Sequence, residues 1–386
     1  MIKTLVASTK ELDDIDLAVE EITSQLQLDT GLLRSSIAIV SCHFEFVMAG
    51  IVKAVYDALP CDMIGTVAVP LASGQEADMV MLSVMLITSN DAEFVASLTP
   101  SVLDEPNKII AETYKTTAAK RPDSPSLVLA CAPFIAQNSG DDYIRTISEA
   151  SGNIPCFGTL ATDGTVGFAN AHMIYNGEQY QDRFAMVLAY GLQPKFYFAN
   201  ISPDKALGNT ATVTKSTGHI IQEINGRSVD EYFAGLGLTK ASETEFGMSM
   251  LPFLIDYNDG TPKVARIFVT LTPERYALCA GEIPAGSTLQ IASNEKDDIL
   301  NTTGIAVNEL MNDIENASCL LIYSCVSRYM ALGADILKEI EVVTGKISNK
   351  VPYLIAYSGG EICPTQVVGD TATNRFHNNS FVACLF

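Results

Sequence analysis

The chain is 386 residues long and carries 24 Lys and Arg against 45 Asp and Glu, a formal charge of −21. At about 150 residues per domain this length predicts two to three domains, and 48% hydrophobic with only 18% charged residues, where about 25% charged is usual, predicts a large buried core. The negative surplus repels phosphate backbones and anionic lipid, so nucleic-acid binding and peripheral membrane binding are not expected.

Met1-Ile2-Lys3-Thr4-Leu5-Val6-Ala7-Ser8 reads as a first strand, because Lys10, Glu11, Asp13 and Asp14 interrupt it before the apolar stretch of a signal peptide can form. The longest apolar run, Met79 to Ile87, is far shorter than the roughly 20 residues of a membrane span, and no transmembrane segment is expected. Nine cysteines lie mostly inside apolar runs. An odd number without an export signal predicts reduced thiols and a cytoplasmic location.

One pattern then recurs three times: strand, small residue plus Cys, helix, strand, turn. The first copy is Ile37-Ala38-Ile39-Val40-Ser41-Cys42, an amphipathic stretch with Val47, Met48, Ile51, Val52 and Val55 at helical spacing, and Cys61-Asp62-Met63-Ile64-Gly65. The second is Leu127-Val128-Leu129-Ala130-Cys131, Pro133, a helix carrying Tyr143, Ile144 and Ile147, and Ile154-Pro155-Cys156-Phe157-Gly158-Thr159. The third is Leu320-Leu321-Ile322-Tyr323-Ser324-Cys325, a helix face of Met330, Gly333, Ile336, Leu337 and Ile340, and Val351 to Ala356. Apolar strands joined by a helix predict right-handed βαβ crossovers and locally parallel sheet. Cys42 and Cys131 read equally as small buried residues at the ends of core strands. A strand's carboxyl end feeding a helix is nevertheless where α/β folds place ligands.

Between the second and third copies the period changes to two. Val166 to Tyr175, the turn Asn176-Gly177, and Phe184 to Tyr190 predict a β-hairpin. Further strands are expected at Lys195 to Asn200, at Val264 to Val269 and at Thr288 to Ile291, with a turn at Asp256 to Thr261 and a hairpin across Val213 to Gly226. The fold class is therefore α/β with mixed parallel and antiparallel sheets, in two modules of recurring strand-helix-strand units. The polar stretch Ser202 to Asn209 places their boundary, giving 1–205 and 206–386.

Strong chemical motifs are missing. The sequence has no GxxxxGK[ST] loop, CxxC, HExxH or CxxCH, and Gly235-Leu236-Gly237 lacks the third glycine of a dinucleotide fingerprint. No metal site is expected, and only His43, His172, His219 and His377 are available as bases or ligands. In Ser324-Cys325-Val326-Ser327-Arg328 a thiol and a guanidinium share a helix start, and Arg suits bidentate capture of a carboxylate. Arg328 reads alternatively as a surface side chain capping a neighbouring carbonyl. Gly359-Gly360-Glu361 places a carboxylate at a turn that could receive an ammonium, and its counterpart in the second copy is Gly158-Thr159-Leu160-Ala161-Thr162-Asp163-Gly164. His377 and Asn378 offer neutral donors and acceptors before the final strand.

These residues carry a resemblance. SCVSRYMALGADILKEIE, YSGGEI and HNNS resemble the C-terminal module of the FIST family, the F-box and intracellular signal transduction proteins, while CFGTLATDG, the Asn-Gly hairpin and VTKSTGHIIQEING resemble its N-terminal module. The resemblance implies a bacterial-type two-module sensory unit that binds small ligands such as amino acids and signals through histidine kinases, chemotaxis receptors or cyclic-dinucleotide enzymes. It also implies that haem is a possible cofactor, since some members are nitric-oxide sensors. No kinase, receptor or F-box segment is attached here, so the output is expected to pass through a separate partner, and Ala356 stands where the other copies have Gly65 and Gly158.

On this basis the expected function is a stand-alone sensor of a small zwitterion, without catalytic residues or a required cofactor. Arg328 would hold the ligand carboxylate and Glu361 or Asp163 its ammonium, with Ser324, Cys325, Gly360, Thr159, His377 and Asn378 lining the pocket. Two other readings stand beside it. Cys325 at a helix start next to Arg328 would have a lowered pKa and act as a nucleophile, with His377 as the available base; or a His or Cys would ligate haem in a gas or redox sensor.

Overall fold

The computed structural model describes residues 1–28, 32–135, 139–165, 167–237 and 252–386. The three sequence copies are three structural repeats with one element order: edge strand, helix, strand, helical crossover, parallel strand, hairpin and return strand. The first comprises β1 (Ile2–Thr9), α1 (Ile15–Leu26), β2 (Ser35–Cys42), α2 (Phe44–Met48), α3 (Ile51–Asp57), β3 (Met63–Val67), β4 (Leu71–Ser73), β5 (Glu76–Asp78) and β6 (Leu82–Ser89). The second is β7 (Glu93–Leu98), α4 (Pro106–Ala118), β8 (Leu127–Ala132), α5 (Gly140–Ser151), β9 (Cys156–Leu160), β10 (Met173–Tyr175), β11 (Glu178–Tyr180) and β12 (Ala185–Tyr190).

The third repeat opens with β13 (Lys195–Ala199) and is interrupted by an inserted module. That module holds β14 (Ala206–Thr217), β15 (Ile220–Ile224), β16 (Arg227–Ser228), α6 (Val229–Gly235), β17 (Phe253–Asp256), β18 (Val264–Arg266), β19 (Phe268–Leu271), β20 (Ala277–Cys279) and β21 (Thr288–Ala292). The repeat resumes with α7 (Lys296–Leu310), β22 (Leu320–Cys325), α8 (Val326–Leu332), α9 (Lys338–Ile347), β23 (Tyr353–Ser358), β24 (Glu361–Val368), β25 (Thr371–His377) and β26 (Phe381–Leu385). In the first two repeats the equivalent connections are residues 10–14 and 99–105. The 205/206 position falls where β14 begins, and β13 on its near side pairs with β26 on its far side.

Each repeat supplies four strands of its own sheet, in the orders β1-β6-β2-β3, β7-β12-β8-β9 and β13-β26-β22-β23. The first and second core strands are parallel, and the return strand runs antiparallel to the first. The next position in every sheet is filled by a hairpin from another repeat. β10 and β11 extend the first sheet from β3, β24 and β25 extend the second from β9, and β4 and β5 extend the third from β23. The hairpins are exchanged cyclically. The inserted module is separate from this scheme, with antiparallel pairings throughout its described strands and its own core around Phe233, Phe253 and Phe268.

Side chains alternate across each strand. One face of all three sheets meets in a single central core containing Ile37, Ile39, Leu127, Leu129, Phe157, Leu321, Tyr323 and Leu354. The opposite faces are covered separately: the first by α1, α2 and α3, the second by α4 and α5, the third by α7 and α9. Both faces of the core strands are therefore buried, which explains their near-continuous apolar composition.

Several expectations change. The Asn176-Gly177 turn has the two positive φ angles of a type I′ turn (50° and 79°), but it joins β10 to β11; Phe184 to Tyr190 instead yields β12, which pairs with β8 and β7. Val166 lies outside the described residues. The helices of the first and third copies are each broken, at Gly50 (φ 78°) and Gly333 (φ 58°). Val264 to Val269 splits between β18 and β19, which pair with different strands. Cys42 faces the helices, whereas Cys131 faces the central core, so the inward position in the first repeat belongs to Ser41.

Gly65 and Gly158 do permit close backbone approach, but to the neighbouring parallel strand. A Cβ would lie 1.8 Å from Val40 O or 2.0 Å from Ala130 O. Gly158→Ala is expected to cost about 1–3 kcal/mol of overpacking, read as a lower urea midpoint; an unchanged midpoint would contradict this packing.

Candidate functional site

At the carboxyl ends of the parallel strands the inward alternation continues past the apolar core into polar residues. Ile37 and Ile39 are followed two residues on by Ser41, Phe157 by Thr159, Tyr323 by Cys325 and Ala356 by Ser358. On the crossing and return strands Glu361 precedes Cys363 and Ser380 precedes Val382 with the same phase. The central core thus ends in a buried polar layer, all of whose members named here are at most 3% exposed.

The richest part of this layer is the seam between the second and third sheets. Glu361 enters from β24 opposite Thr159 on one side and His377 on the other. Ser380 Oγ donates to Glu361 Oε2 (2.6 Å), Thr159 Oγ1 to Ser358 Oγ (2.7 Å), and Ser358 Oγ to Gly360 O (2.6 Å). Cys325 is the parallel partner of Ser358, and its N–H donates to Ser380 O (2.9 Å). Of the expected residues, Thr159, Cys325, Gly360, Glu361 and His377 are therefore brought to one seam, and Asn378 is the next residue in the chain after His377.

Three side-chain atoms here are buried without a hydrogen-bond partner among the described residues: Glu361 Oε1, His377 Nδ1 and Asn378 Oδ1. Burial pushes the Glu361 carboxyl up to about 8, against the opposing help of Ser380 and Cys325. His377 is driven down to about 3 by burial and is neutral. Its Nε2 lies 3.0 Å from Cys363 O; a carbonyl only accepts, so Nε2 carries the hydrogen and Nδ1 is an acceptor. The seam holds buried polar atoms without partners, an arrangement that costs free energy unless something fills it.

Cys325 departs from the nucleophile expectation. Burial and the adjacent Glu361 push its thiol up to about 12, outweighing hydrogen bonds from Ser327 and from the Asn379 backbone. The helix it caps has only seven residues. The Cys325 thiol is therefore held protonated at neutral pH, and burial makes the free Nδ1 of His377 a weak base.

Ser324 and Arg328 lie on the other side of the sheet. Ser324, adjacent to Cys325, points oppositely and donates to Glu339 Oε2 (2.8 Å), as does Tyr357 Oη (2.6 Å). Arg328 is 1% exposed and pairs with Glu339 through Nη2 (2.7 Å) and Nε (2.9 Å), with Thr303 Oγ1 and Ile299 O as further acceptors. Burial raises the Glu339 pKa, but Arg328 and the hydrogen bonds from Thr303 and Tyr357 outweigh it and hold the carboxyl below its ordinary value. The carboxylate that Arg328 grips is the chain's own, so neither a ligand carboxylate nor a surface carbonyl is its partner here. Asp163 is likewise committed to its own loop, accepting from Thr165 N–H and Oγ1 and from Asn170 N–H.

The pseudo-equivalent seams serve as internal comparisons. Where β4 meets β6, Ser73 Oγ donates to Ser83 Oγ (3.1 Å); at the corresponding ends of β10 and β12 the core-facing residues are Met173 and Ala185. The fold closes with a hydroxyl pair or with apolar contact, so it does not require the ionisable set at the third seam.

Two surface clefts lie elsewhere. One of about 320 Å³ runs between β7 and α4, lined by Ser97, Ile109, Glu112, Thr113 and Lys120; another of about 310 Å³ lies beside Met311 and Lys350. Neither cleft is lined by a His or Cys. No group of three or more His, Cys, Asp and Glu suited to a metal ion occurs among the described residues. All nine cysteines are free, and no described helix is long and apolar enough to cross a membrane.

Residues 36–227 match the FIST N domain and residues 229–364 the FIST C domain. No curated protein matches the chain. Among solved structures, a cyanuric acid hydrolase from A. caulinodans aligns over 100% of this chain and 99% of its own at 10% identity and a TM-score of 0.37. T. maritima PurL complexed with AMPPCP aligns over 100% and 72% at 8% identity and a TM-score of 0.20.

Two outcomes follow from the electrostatics. The folded state keeps a proton on Glu361 that the unfolded chain releases, so this residue's contribution is full below its ordinary pKa of 4.5 and is lost as pH rises to about 8. The stability of the wild type relative to Glu361→Gln should fall across that window; a flat difference would refute the shift. Arg328→Met strands a buried carboxylate and should cost about 3–5 kcal/mol in denaturant unfolding, with a smaller loss in Arg328→Met/Glu339→Leu.

Proposed function

The chain belongs to the FIST family, whose domains are sensory modules of signal transduction, and from that premise we propose that it senses a small amine-bearing metabolite, such as an amino acid, at the seam between the second and third sheets. The observation that carries this reading is the buried Glu361 carboxyl with Oε1 lacking a hydrogen-bond partner, opposite His377, whose Nδ1 also lacks one, with the unpartnered Asn378 Oδ1 on the next residue of the chain. A primary ammonium brings three N–H donors and a positive charge. Binding would favour the ionised form of Glu361 and release its proton, replacing an unsatisfied acid with a charge-assisted pair. A ligand carboxylate would have to displace Glu339 from Arg328, so recognition rests on the ammonium end.

The seam is closed, and ligand entry requires the sheets to part or the turns at Gly360 and Asn379 to move. A ligand that binds one such arrangement better shifts the population toward it, and the signal is that shift. The change would be read in the cytoplasm by a separate partner such as a histidine kinase, a chemotaxis receptor or a cyclic-dinucleotide enzyme.

The test is a thermal-shift panel of amino acids, simple amines and the matching carboxylic acids without the amine. A ligand at 100 times its Kd adds about 2.7 kcal/mol, enough to move the melting temperature. Stabilisation is expected from amine-bearing compounds and should disappear in Glu361→Gln. Stabilisation by the des-amino acids alone, or a shift that survives in Glu361→Gln, would overturn the assignment.

A further inference from the structure

The inserted module has no counterpart in the first two repeats, yet it is docked through a buried ion pair directly behind the seam. Arg266, at the end of β18, is fully buried, and Nη2 pairs with Asp141 Oδ1 (2.9 Å) at the start of α5. The other Asp141 oxygen accepts the N–H of Glu282 (2.7 Å), so this carboxylate is held twice by the inserted module. Gly281 allows the approach, since a Cβ there would lie 2.7 Å from Arg266 Nε and 2.8 Å from Asp141 Oδ2. Arg145 to Glu282 (2.7 Å) and Arg375 to Asp259 add ion pairs across the same junction.

Arg266 also reaches the seam. Its Nη1 donates to Phe376 O (2.9 Å), the carbonyl immediately before His377, and its guanidinium lies 5.9 Å from the Phe376 ring centre. That ring is wedged between two glycines. A Cβ on Gly360, the residue before Glu361, would lie 2.2 Å from it, and a Cβ on Gly140, the residue before Asp141, would lie 2.4 Å from it. One side chain of the inserted module therefore touches the strand end that carries His377 and, through one aromatic ring, the turn that carries Glu361.

We infer that Arg266 is the positioning residue that couples the seam to the inserted module, so that a change at Glu361 and a change in the module's docking are parts of one equilibrium. The inference rests on the seam being the sensory site and names the element that responds to it. Coupling of this kind is reciprocal: whatever alters one end must alter the other. Close packing around Phe376 leaves little room for the seam to rearrange while the module stays in place.

The test uses the full chain without added ligand, so its failure is separable from failure of the amine panel. Hydrogen exchange is compared for wild type, Glu361→Gln, Arg266→Lys and Asp141→Asn, and the His377 ring resonances are followed by NMR, which only four histidines make tractable. Glu361→Gln should change exchange in β17 and β18 by about fivefold or more. Arg266→Lys, and independently Asp141→Asn should the first fail to fold, should shift the His377 resonances and exchange at His377 to Ser380 while leaving the first repeat unchanged. Unaltered exchange in β17 and β18 on Glu361→Gln, unmoved His377 resonances in the bridge variants, or an equal rise in the first repeat, which marks a purely structural loss, would each overturn the coupling.

Discussion

The constraint on which the rest of the structure depends is the cyclic exchange of hairpins. No repeat completes its own sheet, because the strand that covers β3, β9 or β23 arrives from another repeat. The three inner faces are thereby drawn around one apolar core, and a seam forms where each crossing strand passes a return strand. Three seams follow from one topology. Selection of residues at one of them can proceed without cost to the other two, which is how a single ionisable set comes to stand against a hydroxyl pair and an apolar contact.

Alternation across the strand then divides the chemistry. Ser324 and Cys325 are neighbours in sequence but serve opposite sides of one sheet. On the helix side, Arg328, Glu339, Thr303, Ser324 and Tyr357 form a satisfied network. On the core side, Glu361, His377 and Asn378 remain partly unsatisfied. Both are buried in similar surroundings, and the difference lies in whether donors and acceptors balance. A balanced network holds one geometry; an unbalanced one retains capacity for a further partner.

Much of this was legible in sequence. The three strand-helix-strand units are plain because apolar strands, helical spacing and turn residues are local signals. The exchange is not, since Glu361 pairs with Thr159 across some two hundred positions and nothing nearby distinguishes β11 from β12 as the partner of β10. The residue types at the seam were recognisable from the turns and strand ends that carry them. In sequence Arg328 reads as a ligand-binding residue because its own partner, Glu339, sits eleven residues on. Glu339 nevertheless left a trace, falling with Val343 and Ile347 on the buried stripe of α9, where an acid requires a cation. The same period, applied to β2, would have selected Ser41 over Cys42. Arg266 left no such trace, because β18 joins an independent core before reaching α5 and β25.

The exchange also governs how the chain reaches its native state. β26, the final strand, lies in the interior of its sheet between β13 and β22, and β23 takes its neighbour from β4, made some 280 residues earlier. During synthesis β4 and β5 must therefore wait, with one edge unpaired, until the third repeat emerges from the ribosome. Pairings so distant in sequence slow folding and leave strand edges open to wrong partners. The hairpin of the first repeat, although made early, therefore gains its outer partner only when β23 is in place.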